Sequence, residues 1–79
     1  MLILENLRVI ENRIVANYRF DGLDSTGEII YDIESKSVIR ATFGDQNAEE
    51  VYGYSHLLRA LGTMVDYNKY PSTYTYAWF

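Results

Sequence analysis

Apolar and polar residues alternate along the first half of the chain with the two-residue period of half-buried β-strands. The alternation is clearest over Arg13–Phe20, which we expect to be the second strand. Residues 2–10, 28–33 and 38–43 are the other predicted strands, and polar turns separate all four. Connections this short favour antiparallel neighbours. The residues expected to face the core are Ile3, Leu7, Val9, Ile14, Ala16, Tyr18, Phe20, Ile29, Tyr31, Ile33, Ile39, Ala41 and Phe43.

The spacing of apolar residues changes to that of an α-helix after residue 47. Asn47 and Glu50 have the spacing of an N-cap and its capping-box partner, so we expect a helix from here to about residues 66–68. Gly53 and Gly62 each weaken it by about 1 kcal/mol relative to alanine. Both lie on or beside the polar arc, so neither is predicted to make a close contact. The arc expected to rest on the sheet contains Val51, Tyr54, Leu57, Leu58, Leu61, Met64 and Val65.

The last thirteen residues contain six aromatic side chains, namely Tyr67, Tyr70, Tyr74, Tyr76, Trp78 and Phe79. Pro71 cannot continue the helix, and residues 74–79 predict a fifth strand. One helix can cover only one face of a sheet, and aromatics left in water make an adhesive patch. Either the tail is purely structural or one of its rows meets a partner. We expect Phe79 to close the core and the opposite row to be left for a partner; that row is Tyr74, Tyr76 and Trp78.

The element order β-β-β-β-α-β predicts an α+β fold in a single domain over residues 1–79. We expect a four-stranded antiparallel meander, one amphipathic helix packed on one face and a C-terminal fifth strand. Folding at this size buries only about 60–65% of the surface of the unfolded chain, so the expected stability is modest.

Composition and charge exclude several classes of function. The formal net charge is −4 and the seven basic residues form no block, which argues against binding duplex nucleic acid through its phosphates. The chain has no cysteine and one histidine, so neither a disulfide nor a metal site is predicted. No basic segment precedes the first apolar residues, and no apolar run approaches the roughly 20 residues that span a bilayer. We expect a cytoplasmic protein without a signal peptide, a membrane partner or a cofactor.

The sheet face away from the helix is the first candidate site. It mixes arginines with apolar and small polar residues, and its predicted members are Asn6, Arg8, Val15, Asn17, Arg19, Ile30, Asp32, Val38, Arg40 and Thr42. One interpretation is a solvated face with cross-strand charge pairs, such as Asp32 with an arginine. Another is a surface for self-association or a partner, because arginine is enriched in interfaces. With the aromatic row, the interface candidates are Val15, Arg19, Ile30, Val38, Arg40, Tyr74, Tyr76 and Trp78.

A third interpretation is a site that sequesters an anionic small ligand such as a nucleotide. Its candidate residues are Arg8, Arg19 and Arg40, with a tyrosine or Trp78 stacked on the ligand. Guanidinium groups suit this chemistry because they bind phosphate and carboxylate oxygens in a bidentate manner.

An enzyme built around the single histidine is a further alternative. His56 would act with Tyr52, Glu49 or Arg59 on the polar arc of the helix. Ser55 is adjacent in sequence but points about 100° away on a helix, so the two do not form a nucleophile–base pair. No catalytic residue is assigned, and the chain is predicted not to be an enzyme.

Short segments in the last two-thirds of the chain carry a resemblance to other proteins. These segments are Ile30-Tyr31-Asp32, Tyr54-Ser55-His56 with Leu61 and Met64, Tyr70-Pro71, Tyr74-Thr75 and Trp78-Phe79. In them the chain resembles small uncharacterised proteins of bacteria and of phages or other mobile elements. The resemblance implies no residue roles, although a phage context would favour an inhibitor of host machinery or an adaptor.

The leading hypothesis is a non-enzymatic protein-interaction module that forms a homo-oligomer, with a dimer as the expected state.

Overall fold

Five antiparallel strands and one helix form two layers in the computed structural model, which describes residues 1–78. The strands are β1 (Leu2–Ile10), β2 (Arg13–Phe20), β3 (Thr26–Asp32), β4 (Ser37–Phe43) and β5 (Tyr74–Tyr76), in the spatial order β4-β3-β2-β1-β5. A short 3-10 helix (Ala48–Glu50) and the helix α1 (Tyr54–Tyr67) connect β4 to β5. The predicted α+β fold, with its meander and C-terminal strand, is confirmed. Within residues 1–78 no helix is both long and apolar enough to cross a membrane.

A β-bulge in the middle of β1 changes which of its residues face the core. The register of the β1–β2 pair shifts by one residue there, and Asn6 adopts a φ of 54°, in the left-handed region that asparagine tolerates. Leu2 and Leu4 therefore face the helix and are fully buried. The expected core position of Ile3 is wrong, because this side chain lies on the opposite face. Val9 lies beyond the bulge near the end of the sheet and is 43% exposed.

A second bulge, in β4, reverses the expected orientation of Val38 and Ile39. Ile30 pairs with Arg40 while Tyr31 pairs with Val38, which leaves Ile39 as the extra residue. Val38 therefore shares the core face with Tyr31 and packs against the core. Ile39 is 46% exposed. Both expectations are corrected, since Val38 does not lie on the uncovered face and Ile39 does not lie in the core.

Tyr18 occupies the centre of the covered face of the sheet and is only 1% exposed. Its ring lies over Gly27 of the neighbouring strand, where an added Cβ would come within 2.6 Å of it. The same ring stacks on Phe43, with centroids 5.5 Å apart, and meets Phe20 edge-on at 5.8 Å. Its hydroxyl donates to the backbone oxygen of Thr42 at 2.7 Å. Tyr18 thus fills the space above a glycine and satisfies its own polar atom.

The helix α1 begins at Tyr54 rather than directly after Asn47 as predicted. The Asn47 side chain accepts a hydrogen bond from the Glu49 backbone N–H at 3.4 Å, so it does act as an N-cap. The element that it caps is only the short 3-10 helix, because the chain is extended at Val51. The sequence motif therefore identified an N-cap correctly and overestimated the length of the helix that follows.

Gly53 separates the two helical segments and makes a close contact with the core. Its φ is 100°, in a region that residues with a Cβ rarely adopt. An added Cβ would lie 2.7 Å from the ring of Phe20. A Cβ at Gly62 would meet nothing closer than the Tyr31 hydroxyl, at 3.9 Å. The expectation that neither glycine makes a close contact is therefore wrong for Gly53.

The buried arc of α1 matches the sequence pattern. The helix ends at Tyr67, where the left-handed Asn68 and a hydrogen bond from the Lys69 N–H to the Met64 oxygen at 3.1 Å cap it. The predicted end at residues 66–68 is therefore confirmed. The buried residues of α1 are Leu57, Ala60, Leu61 and Met64, of which Ala60 was not predicted.

Replacing the two helix-region glycines by alanine should have opposite effects. We expect Gly53→Ala to lower the free energy of unfolding by about 2–4 kcal/mol, because it combines left-handed backbone strain with overpacking against Phe20. Gly62→Ala should raise it by up to about 1 kcal/mol through helix propensity. Urea denaturation followed by far-UV circular dichroism measures both. Equal responses of the two variants would show that Gly53 is not held against the core.

The buried phenol of Tyr18 should make stability fall at alkaline pH. Burial, aided by the neighbouring Tyr54, raises the pKa of Tyr18 from 10.0 to about 12. The stability from the neutral hydroxyl is therefore fully present below pH 10 and is lost as the pH rises towards 12. We expect Tyr18→Phe to cost about 1 kcal/mol at neutral pH, since the Thr42 oxygen loses its donor, and to flatten the alkaline decline.

Urea titrations of both proteins across this pH range measure the effect, and Tyr67→Phe is the matched control at an exposed position. Parallel curves for the wild type and Tyr18→Phe would contradict a shifted pKa.

Candidate functional site

The sheet face opposite α1 carries a row of four residues that spans four strands. Arg8, Val15, Ile30 and Arg40 are successive Cα partners from β1 to β4. Val15 and Ile30 are half-buried and lie side by side, with an exposed arginine beyond each. Because neighbouring strands lie about 4.8 Å apart, this central row is roughly 14 Å long. It places an apolar pair between two cations, on a face that no other element within residues 1–78 covers.

A row with two carboxylates lies beside the central row. In this acidic row, Glu5, Asn17, Glu28 and Thr42 are successive partners across the same four strands. Glu5 also accepts a hydrogen bond from Arg19 Nε at 3.0 Å. Exposed ion pairs of this kind contribute at most about 1 kcal/mol, so the carboxylate remains available for another cation. The uncovered face thus alternates between rows of opposite charge.

The row on the other side of the central row contains the cross-strand pair Arg13 and Asp32. The Asp32 carboxylate accepts hydrogen bonds from the Ser35 hydroxyl at 2.6 Å and from its N–H at 2.9 Å. These two hydrogen bonds, and then the Arg13 guanidinium, hold the pKa of Asp32 below its ordinary value. Asp32 is therefore occupied by its own turn, which makes it a structural residue of the β3–β4 connection.

The structure brings three of the eight predicted interface candidates together and separates the other five from them. Val15, Ile30 and Arg40 all lie in the central row, next to one another. Arg19 lies beyond the acidic row on the same face. Arg8, which was predicted only as a ligand-binding residue, completes the central row.

The three arginines predicted to hold an anion do not converge. Arg8 and Arg40 lie at opposite ends of the central row, about 14 Å apart. The Arg8 guanidinium donates to the backbone oxygen of Asn6 at 2.7 Å, and Arg19 pairs with Glu5. No observation on this face therefore favours a single anion site formed by all three.

The aromatic row of the tail lies on the covered face of the sheet. β5 pairs with the start of β1 in a register that places Tyr74 and Tyr76 beside core-facing leucines. Both tyrosines and Trp78 are half-buried and pack against the core. The expectation that this row is left for a partner is corrected, because it helps to close the core itself. The other half of that expectation concerns Phe79, which lies outside the described residues.

β5 is also shorter than the predicted strand of residues 74–79. It ends at Tyr76, which pairs with Leu2, the first residue of β1.

His56 and Trp78 make a close aromatic contact at the N-terminal end of α1. Their rings are nearly parallel, at 9°, with centroids 4.0 Å apart. Tyr76 lies 5.9 Å from His56, while Phe20 and Tyr52 each lie 6.4 Å from Trp78. His56, which the sequence pattern places on the polar arc of the helix, is therefore half-buried. This terminal aromatic cluster attaches the end of β5 to the helix.

The geometry around the imidazole does not assemble the predicted catalytic partners. The measured ring contacts of His56 are with Trp78 and Tyr76, and Tyr52 contacts Trp78 instead. Over residues 1–78, no three His, Cys, Asp or Glu side chains are grouped so that they could hold a metal ion. The alternative of an enzyme using His56, with Glu49 or Arg59, stays a prediction that no observed geometry favours.

Comparisons with known proteins found no matching family model, no similar curated protein and no similar solved structure. The resemblance to small bacterial and mobile-element proteins therefore stays a prediction. The function has to be argued from the geometry of the described residues.

The central row was missed as a unit because its four members come from four strands. One signal was present in the sequence. The two-residue turn at Glu11 and Asn12, both with positive φ, sets the register of the β1–β2 hairpin. Counting residues outward from this turn along both strands places Arg8 opposite Val15. The remaining two members depend on the longer turn between β2 and β3, whose register the sequence does not specify.

Removing the imidazole should loosen the C-terminal strand. We expect His56→Ala to shift the emission of Trp78, the single tryptophan, to longer wavelength and to cost about 1 kcal/mol of unfolding free energy. Amide exchange at Tyr74–Tyr76 should accelerate, while exchange in β2 and β3 should not change beyond the loss of global stability. Arg59→Ala, at an exposed position of α1, is the control. Unchanged emission would show that the His56 contact does not hold the tail.

Proposed function

We propose that this protein is a non-enzymatic interaction module that forms a homodimer through its uncovered sheet face. The observation that carries the proposal is the central row, where Val15 and Ile30 lie side by side between Arg8 and Arg40. An antiparallel sheet with one solvated face normally carries polar residues there. A β-branched apolar pair flanked by arginines instead has the composition of an interface centre.

The Glu5 and Arg8 charges of β1 complement those of a second copy turned over upon this face. A two-fold dimer brings the same patch of both subunits together. In the proposed dimer the two-fold axis runs parallel to the rows, midway between the central and acidic rows. Rotation about this axis places β1 over the β1 strand of the partner subunit. Glu5 then faces the partner's Arg8, and by symmetry Arg8 faces the partner's Glu5. Glu28 lies over the partner's Ile30, next to the partner's Arg40. The arrangement places the Glu5 carboxylate against the partner's Arg8 guanidinium twice per dimer. Towards the edge of the face Arg13 lies over the partner's Arg19, and each of these cations already has a carboxylate beside it in its own subunit, Asp32 and Glu5 respectively.

The face is also large enough for a stable dimer. The described molecule measures 30 × 24 × 19 Å. A standard interface buries about 800 Å² on each partner, which is roughly a sixth of the accessible surface of 5044 Å². Because the charges at this interface are partly exposed, we expect micromolar rather than nanomolar affinity. The cytoplasmic location and the inhibitor or adaptor role expected from the sequence stay predictions.

Charge reversal tests the proposed arrangement of the two subunits. Arg8→Glu and Glu5→Arg each place like charges across the two-fold axis, twice per dimer, and should weaken the dimer by about 10–100-fold. The double variant restores opposite charges and should recover most of the wild-type affinity. Sedimentation equilibrium over about 10–500 µM protein measures these dissociation constants.

Arg59→Glu is the matched control, because it makes the same charge change on the exposed side of α1. A wild-type protein that stays monomeric over this range would contradict the dimer. A dimer that neither single reversal weakens would contradict the use of this face.

A further inference from the structure

A cleft of about 270 Å³ opens between the C-terminal half of α1 and the segment that leads into β5. It contains no residue of the central or acidic rows, so it is independent of the proposed dimer face. It also lies away from the terminal aromatic cluster, at the other end of the helix. The residues that line it are Thr63, Met64, Tyr67, Lys69, Pro71 and Tyr74.

The walls of the cleft are apolar and aromatic. Met64 is 5% exposed and Tyr74 is half-buried, so both belong to the packed part of the molecule. Tyr67 is 72% exposed, although it lines an apolar recess. A flat aromatic ligand entering between the two tyrosines would cover this exposed ring and contact the proline ring.

The backbone on both sides of the cleft is fixed by hydrogen bonds. The Lys69 N–H donates to the Met64 oxygen at 3.1 Å, which holds the turn after the helix. The Leu7 N–H donates to the Ser72 oxygen at 3.0 Å, which attaches the following segment to β1. The cleft is therefore formed before any ligand arrives, as is usual for small-molecule sites.

Lys69 is the one ionic residue among those that line the cleft. Within residues 1–78 the ion pairs are Arg19 with Glu5 and Lys36 with Asp66, so the Lys69 ammonium has no carboxylate partner there. Asp66, the acid nearest in sequence, is occupied by Lys36. An unpaired cation at an apolar recess complements a ligand that joins a ring to a negative charge.

We propose that this cleft binds a small aromatic carboxylate. The ring lies between Tyr67 and Tyr74 over Met64, and the carboxylate meets the Lys69 ammonium. The volume, just below the usual range of ligand pockets, suits a compound with a single ring. The carbonyl end of α1 attracts cations and opposes the bound anion, which limits the affinity. We expect a dissociation constant of about 0.1–5 mM for such a small ligand.

Three single-ring probes of different charge test the site: phenylacetate, the neutral phenylacetamide and the cationic 2-phenylethylamine. Titration into ¹⁵N-labelled protein, followed by amide chemical shifts, gives both the location and the dissociation constant. Phenylacetate should shift amides at residues 63–74 with saturation, and phenylacetamide should bind about 3–10-fold more weakly. The amine should bind most weakly, because the Lys69 ammonium repels it.

Two variants assign the roles of the residues. Lys69→Gln should weaken phenylacetate by about 3–10-fold and leave phenylacetamide unchanged, since only the charge interaction is removed. Tyr67→Ser, at an exposed position, should weaken both probes. Arg13→Gln, on the opposite face of the sheet, removes the same charge and should change neither. The proposal is overturned if phenylacetate causes no saturable shift at these residues up to about 10 mM, or if the three probes bind equally well.

Discussion

The buried ring of Tyr18 is the contact on which the arrangement of both layers depends. The Tyr18 ring lies over Gly27 of β3 and stacks on Phe43 of β4. Its hydroxyl donates a hydrogen bond to the Thr42 backbone oxygen. That position sets Phe20 edge-on beside it, and Phe20 in turn lies directly under Gly53. Because Gly53 has no side chain, the chain can pass close to the core there, and α1 begins at the next residue. One tyrosine thus links the centre of the sheet to the first turn of α1.

The same packing divides the molecule into a covered face and an uncovered one. On the covered face, β5 adds its tyrosines to the core, and the stack of His56 on Trp78 joins the end of the chain to the helix. Tyr74, Tyr76 and Trp78 are therefore packed against the core of their own subunit. What remains for a second copy is the opposite face, where Val15 and Ile30 would otherwise stay partly in contact with water. Residues 1–78 form two layers with no third layer to cover them, and the proposed dimer would provide one.

Much of the fold could be predicted because the signals were local. The alternation over Arg13–Phe20 and the apolar arc of α1 each follow from the geometry of a single element. The wrong predictions concern side chains whose orientation depends on pairing with a neighbouring strand. The bulge at Asn6 moved Ile3 to the other face, and the bulge at Ile39 turned Val38 into the core. A bulge is specified by what the partner strand and the core require, so an isolated strand pattern does not reveal it. The candidate site was predicted in part for the same reason, since its residue types were recognised but not their order across the strands.

The sequence by itself determined the number, type and order of the elements, the antiparallel meander and the need to bury the aromatic tail, because period, turn chemistry and apolar content act over a few neighbouring residues. Only the tertiary structure decided which face that tail occupies, where the helix begins and which four side chains form the central row. Those outcomes depend on strand register and on contacts such as that of Phe20 with Gly53, between residues far apart in the chain. A shift of one residue in register moves a side chain to the opposite face, and nothing in the neighbouring sequence reports it.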